Sequence, residues 1–218
     1  MTSSKDLGEI TLSTFRGEDG PLVKEVRKVL NWFKTHGSPD VLFLSTVMLA
    51  GIGKVLKREL GIPVFGFLQG EDSFLDSLLP EYRNEAWKLL SADVAQLDGC
   101  IAPSRYFGNF MADRLGLDKQ TIRYHPNGIT LTGFEPEREP PATPAIGYLA
   151  RLCPLKGLDI LVDAFLLLKE TGKFPDLRLE IAGGMTAEDE PFVDEQRRKL
   201  TQAGLSDCSR IRPNVDRD

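Results

Sequence analysis

Apolar residues recur three and four apart between Pro21 and His36, at Leu22, Val26, Val29, Leu30 and Phe33. That spacing lays one apolar stripe along a helix. Pro21 suits the first helical position and Gly37 the stop. Residues 1–20 are polar and weakly patterned. Asp40–Leu44 (DVLFL) reads as a buried strand, and Ser45 or Thr46 can cap a helix that runs through Leu60. Gly61 ends it, and Ile62–Leu68 (IPVFGFL) reads as a second strand. A helix over Glu81–Leu97, a short strand at Cys100–Ala102, a Ser104-capped helix through Leu115 and a brief strand at Ile122–His125 complete the first part.

Strand–helix alternation with near-continuous apolar strands predicts an α/β fold whose parallel sheet is buried on both faces. Ligands on such sheets bind beyond the carboxyl ends of the strands. Here those ends are Ser45–Thr46, Gln69–Asp72, Pro103–Arg105 and Pro126–Gly128, all polar or glycine-rich. Polar loops are common anyway, so no one of them points to a ligand. Glu135–Ala145 then changes character, with prolines at 136, 140, 141 and 144 among alternating charges. Such a stretch is a stiff, solvated connector. The predicted organisation is a first domain over 1–134, a linker over 135–145 and a second domain over 146–218. The second repeats the alternation: strand Ala145–Ala150, helix Gly157–Lys169, strand Leu177–Ala182, helix Glu188–Ala203 and a strand near Arg210–Arg212. Its three strands are few for a self-sufficient sheet, and the first domain opens on a helix. Both domains are expected to be truncated, the chain being a piece of a longer one.

Composition changes the picture little: 41% hydrophobic and 27% charged residues is ordinary for a globular chain. The formal net charge of −5 argues against nucleic acid as the main partner, since phosphate backbones need a positive field. Cys100, Cys153 and Cys208 form no Cys-x-x-Cys pair, which speaks against a disulfide framework or a zinc cage and suits a reducing cytoplasm. No run reaches the roughly 18 apolar residues of a membrane span. Peripheral contact, placing a cytoplasmic chain at the inner face of a membrane, stays open.

The candidate chemistry sits in Gly147–Gly157 (GYLARLCPLKG). Arg151 and Lys156 follow a strand and precede a helix, whose start offers free N–H groups and a positive dipole end. One Arg and one Lys there make a site for two adjacent phosphates. By spacing alone, two surface charges before a helix are the more ordinary reading. Other signals are weaker. Gly51-Ile-Gly53-Lys54 lies within a helical pattern and lacks phosphate-loop spacing. Glu71 and Asp72 suit either acid–base work or the cap of a following helix. His36 belongs at a helix C-terminus and His125 at a strand end. No cluster has metal-ligand spacing, and no metal is expected.

Taken in order, several motifs resemble glycosyltransferase family 4, the retaining nucleotide-sugar glycosyltransferases of the B fold. Gly147-Tyr-Leu-Ala-Arg151 through Lys156-Gly157, Leu161 and Ala164-Phe165 resembles the start of that family's donor domain. The resemblance implies that Arg151, Lys156 and Gly157 hold the donor diphosphate. Pro126-Asn127-Gly128-Ile129 with Phe134 resembles the family's crossing into its linker. Ile181-Ala-Gly183-Gly184 resembles its second strand-end loop, and Arg210–Val215 falls where its next strand and base-contacting loop begin. Gly183, Gly184, Arg212 and Val215 are therefore expected on the nucleotide side. Leu68-Gln69-Gly70-Glu71-Asp72 resembles the family's His-Gly-x-Asp loop with Gln in place of His. Gln69, Gly70, Asp72, Ser104, Arg105, Asn127 and Gly128 are expected to face the sugar or acceptor. The family's opening glycine-rich loop and its late Glu-(seven residues)-Glu motif have no counterpart. Glu180 and Glu188 have that spacing, but fall in a strand and at a helix start, too early for it.

The resemblance implies two Rossmann-like domains and transfer of a sugar, with retention, from a nucleotide-diphosphate donor to a hydroxyl acceptor. The acceptor class (glycan, lipid or small molecule) and any catalytic residue stay unassigned. No cofactor is expected, the nucleotide sugar being substrate. Two alternatives stand beside this reading: an epimerase of nucleotide sugars on the same fold, and a non-catalytic or inactive nucleotide-sugar-binding fragment.

Overall fold

The computed structural model describes residues 3–133, 139 and 142–215. Contacts divide the chain into two units, Met1–Thr130 and Leu131–Asp218. Of the expected linker over 135–145, residues 135–138, 140 and 141 lie outside the described residues, as does Phe134.

The first unit opens with a helix where weak patterning predicted none: α1, Ser4–Arg16. Ser3 and Asp6 form a reciprocal cap, each side chain accepting the other's backbone N–H. The stripe that α1 buries is Gly8, Thr11, Leu12 and Phe15. Its spacing is helical, but two of the four are not apolar, so a count of hydrophobic positions misses it. Helix α2 runs Val23–His36, beginning two residues after Pro21 because Gly17–Asp19 forms a tight turn just before. Then come β1 (Leu42–Leu44), a turn at Val47–Leu49, α3 (Ala50–Leu60) and β2 (Val64–Phe67). Next are α4 (Glu71–Ser77), α5 (Pro80–Val94), β3 (Gly99–Ala102), α6 (Arg105–Leu115) and β4 (Ile122–Tyr124). Thr46, not Ser45, accepts the Met48 N–H in the turn before α3, and Ser104 caps α6 as expected.

The four strands are parallel and lie in chain order, β1-β2-β3-β4. This order corrects the expectation of a sheet buried on both faces. Right-handed crossovers between successive neighbours carry every connecting helix to one side. On that side Leu44, Val64, Cys100, Ala102 and Ile122 pack with Ala86, Leu90 and Met111. On the other, Phe43 is 51% exposed and stacks on Phe65 with centroids 5.6 Å apart and approaches Phe67 at 6.2 Å. Among the described residues no helix covers them.

The glycines of Gly51-Ile-Gly53-Lys54 are packing residues within α3. A Cβ on Gly51 would lie 2.3 Å from the Phe15 carbonyl oxygen, and one on Gly53 would lie 2.6 Å from Leu44. Lys54 donates to Asp93 Oδ1 at 2.6 Å. Burial nonetheless pushes the Asp93 carboxyl above its ordinary range, the Lys54 contact offsetting only part of the desolvation.

The second unit has β5 (Ala145–Leu149), a turn at Pro154–Lys156, α7 (Leu158–Glu170), β6 (Arg178–Gly183), α8 (Glu190–Gln202) and β7 (Ser209–Pro213). Its three parallel strands are again in chain order. The covered face holds Ile146, Tyr148, Leu179, Ile181 and Ile211 against Leu158, Val162, Phe165, Val193 and Leu200. Leu149, on the other face, is 82% exposed.

Candidate functional site

In the second unit the carboxyl ends of β5, β6 and β7 are knitted into one edge. The pairing continues past the strands: Ala150 N–H donates to Ala182 O at 3.3 Å, and Leu152 N–H to Gly184 O at 2.8 Å. Gly183 lies directly against the chain of Ala150, where a Cβ would come 1.6 Å from the carbonyl oxygen. On its far side, Asn214 N–H donates to Gly183 O at 2.8 Å. The Asn214 side chain grips Met185 at both backbone groups, Oδ1 accepting from N–H at 2.7 Å and Nδ2 donating to the carbonyl at 3.1 Å. Asn214 holds this pose at φ 53°, the left-handed region that asparagine tolerates better than most residues.

Arg151 and Lys156 both rise from this edge. Tyr148 underpins their loop, its single hydroxyl proton within reach of the carbonyl oxygens of Lys156 at 3.2 Å and Arg151 at 3.4 Å. Gly157, at φ 70°, turns the chain into α7 and supplies no side-chain cap. The first N–H groups of α7 therefore carry no side-chain acceptor at the cap. Asp159 stands in that first turn as a charge opposing an anion. Lys156 is exposed, and among the described residues it joins no ion pair. Arg151 does: its Nε and Nη2 donate to the buried Asp189 carboxylate at 3.2–3.4 Å. Asp189 also accepts from Thr186, at 2.7 Å from the hydroxyl and 3.0 Å from the N–H. These Thr186 bonds, ahead of Arg151, hold its carboxyl below the ordinary range.

The expected nucleotide-side residues divide. Gly183 and Gly184 lie on the edge. Arg212 does not stand on a loop: β7 continues through Pro213, and Arg212 pairs with Glu180 at 3.6 Å on the sheet. Val215 follows the strand and is 47% exposed. Asp189, Thr186, Asn214 and Tyr148 went unread in the sequence. Only Asn214, directly after Pro213, carries a local turn signal.

In the first unit Gln69, Gly70, Asp72, Ser104, Arg105, Asn127 and Gly128 all lie at or beyond the carboxyl ends of β2, β3 and β4. Parallel register brings those ends to one edge, extended by Leu68 N–H to Ile101 O at 2.8 Å and His125 N–H to Ala102 O at 2.9 Å. Arg105 lies 5.0 Å over the Tyr124 ring, and Ser104 Oγ accepts the Phe107 N–H at 3.1 Å. Glu71 is the organiser of this edge. Only 3% exposed, it accepts from the Thr46 hydroxyl at 2.6 Å, the Gln69 N–H at 2.8 Å and the Gly70 N–H at 3.1 Å. Both carboxylate oxygens are committed to the loop ahead of α4, and α4 itself follows Gly70 with no side-chain cap, so Glu71 holds the loop and serves neither as a helix cap nor as a free acid or base. Cys100 is no nucleophile either: burial, with Glu71 nearby, pushes its thiol up to about 12. Among the described residues no group of His, Cys, Asp and Glu could hold a metal ion, and no helix is long and apolar enough to cross a membrane.

Set against known proteins, residues 11–132 match the family model described as Glycosyltransferase Family 4. No curated protein matches the sequence. Among solved structures, the chain is similar to Anabaena HepE in complex with UDP, with TM-score 0.68 and 18% identity over 90% of this chain and 52% of that one. Sucrose-phosphate synthase from Thermosynechococcus elongatus gives TM-score 0.63 and 17% identity, over 90% of this chain and 51% of that one. A glycosyltransferase from Rickettsia africae gives TM-score 0.63 and 14% identity, over 99% of this chain and 66% of that one. The chain thus spans about half the length of the first two.

Proposed function

The chain belongs to glycosyltransferase family 4 and has the glycosyltransferase B fold, and from that membership we propose that it binds a nucleotide-diphosphate sugar through Arg151, Lys156 and the start of α7. In this proposal the sugar passes to a hydroxyl acceptor with retention of configuration. The observation that carries it is the exposed Lys156 beside Arg151 at a helix start without a side-chain cap, on the carboxyl edge of a parallel sheet. HepE in complex with UDP and with UDP-glucose supports the donor class.

The chemistry follows from charge. As the glycosidic bond breaks, negative charge grows on the leaving diphosphate. Fixed positive groups aimed at it then stabilise the transition state more than the ground state. An Arg fork and a Lys point charge suit that task without a metal ion.

Calorimetric titration of the 218-residue chain with UDP tests the clamp. Arg151→Ala and Lys156→Ala are each expected to weaken binding about tenfold or more, since a hydrogen bond to a charged group contributes about 1.5–3 kcal/mol. Added salt is expected to weaken the wild type more than either variant. Unchanged affinity in both variants would remove the proposal. Incubating UDP-glucose with and without candidate acceptors separates sugar transfer from epimerisation, which needs no acceptor.

A further inference from the structure

We infer that Asp189 is a positioning residue that aims the Arg151 guanidinium at the donor diphosphate. The inference rests on the reading of Arg151 as part of the clamp.

Asp189 directly precedes α8, and its side chain is 8% exposed. A buried carboxylate is costly unless its lone pairs are occupied. The occupants come from two loops. Thr186 belongs to the stretch that follows Gly183–Gly184, and Arg151 to the stretch that follows β5. The distances rank them: 2.7 and 3.0 Å to Thr186, but 3.2–3.4 Å to Arg151. A tight guanidinium–carboxylate contact sits near 2.7–2.9 Å. Asp189 is thus committed first to its own loop and holds Arg151 loosely, by the Nε–Nη2 edge. Nη1 has no partner among the described residues, and the Arg151 side chain is 56% exposed.

That arrangement orients the fork without consuming it. A free Arg side chain loses rotamer entropy on binding an anion. One edge held by Asp189 removes part of that loss beforehand, and the outer Nη1–Nη2 edge stays open for a phosphate. Because Asp189 is tied to Thr186, the orientation is coupled to the strand-end loop on the nucleotide side.

The sign of one substitution decides the matter. Asp189→Asn keeps an oxygen to accept from Thr186 but presents an amide N–H₂ to Arg151. By charge alone, removing an anion beside a phosphate site should tighten UDP binding. Positioning predicts the reverse, at least fivefold weaker binding by calorimetry. In an Arg151→Ala background the same change is expected to alter affinity less than twofold. Wild-type or tighter binding in Asp189→Asn, beside a weakened Arg151→Ala, overturns positioning alone. Equal weakening in both backgrounds overturns it too, since the effect then does not pass through Arg151. If Arg151→Ala itself binds like the wild type, clamp and positioning fall together. Arg151→Lys, which keeps a cation near the buried Asp189 carboxylate and leaves its Thr186 bonds in place, is the companion should Asp189→Asn not fold. It keeps the charge and loses the edge that Asp189 holds, so at least fivefold weaker binding is expected, and wild-type affinity overturns the inference.

Discussion

Replacing Gly183 with alanine is expected to unfold the strand-end loops of the second unit and, with them, to abolish the UDP binding proposed above. An ideal Cβ there lies 1.6 Å from the Ala150 carbonyl oxygen and 2.7 Å from its carbon. Both atoms are backbone, so no rotamer change relieves the overlap; the chains of β5 and β6 must part. Parting them breaks the bonds Ala150 N–H to Ala182 O, Leu152 N–H to Gly184 O and Asn214 N–H to Gly183 O. At about 1 kcal/mol net each, and more where a group is left unsatisfied, the loss is about 3 kcal/mol or larger. Differential scanning calorimetry reads it, and the neighbour is the control. A Cβ on Gly184 would meet nothing within 4 Å, so Gly184→Ala should stay within about 0.5 kcal/mol of the wild type. Similar melting of the two variants would show that the close approach does not govern this edge.

The second large effect is expected at Glu71. Alanine there strips the Thr46 hydroxyl and the Gln69 and Gly70 N–H groups of their acceptor in one step. With about 1–3 kcal/mol for each buried donor left unmet, and water reaching the exposed Gln69 and Gly70, the net cost is about 3 kcal/mol. Glutamine separates charge from hydrogen bonding. Its amide oxygen can accept from both N–H groups, and the Thr46 hydroxyl can turn to accept from the amide nitrogen. Glu71→Gln is therefore expected within about 1 kcal/mol of the wild type by urea unfolding. An equal loss in the two variants would mean that the negative charge itself, beside the start of α4, carries the stabilisation.

What the sequence revealed and what it hid divide along a physical line. Helices with an apolar stripe, such as α2 and α7, show in the spacing of Val26 with Leu30 and of Leu158, Val162 and Phe165. The strands show as short apolar runs, and Arg151, Lys156 and Gly183 show as ordered landmarks between them. Hidden features depend on neighbours distant in the chain. Helix α1 buries Gly8 and Thr11, which count as core only once α5 and α3 lie against them. Asp189 has no local mark as the partner of a residue 38 positions away. Glu71 reads as an acid until Thr46 is placed beside it. Strand order is hidden for the same reason. Runs such as DVLFL and IPVFGFL are apolar on both sides, whether or not both sides are covered.

That last point bears on how the chain responds to temperature. With no helix among the described residues over Phe43, Phe65 and Phe67, and with Leu149 exposed on the other sheet, folding withdraws less apolar surface from water than the composition suggests. The heat-capacity increment of unfolding scales with that surface, ordinarily about 12–15 cal/mol/K per residue. Calorimetry of this chain should read below that range, and the free-energy curve should be correspondingly shallow. Its stability would then vary little on cooling, and its cold limb would lie further below freezing than that of a chain whose sheets are sealed on both sides.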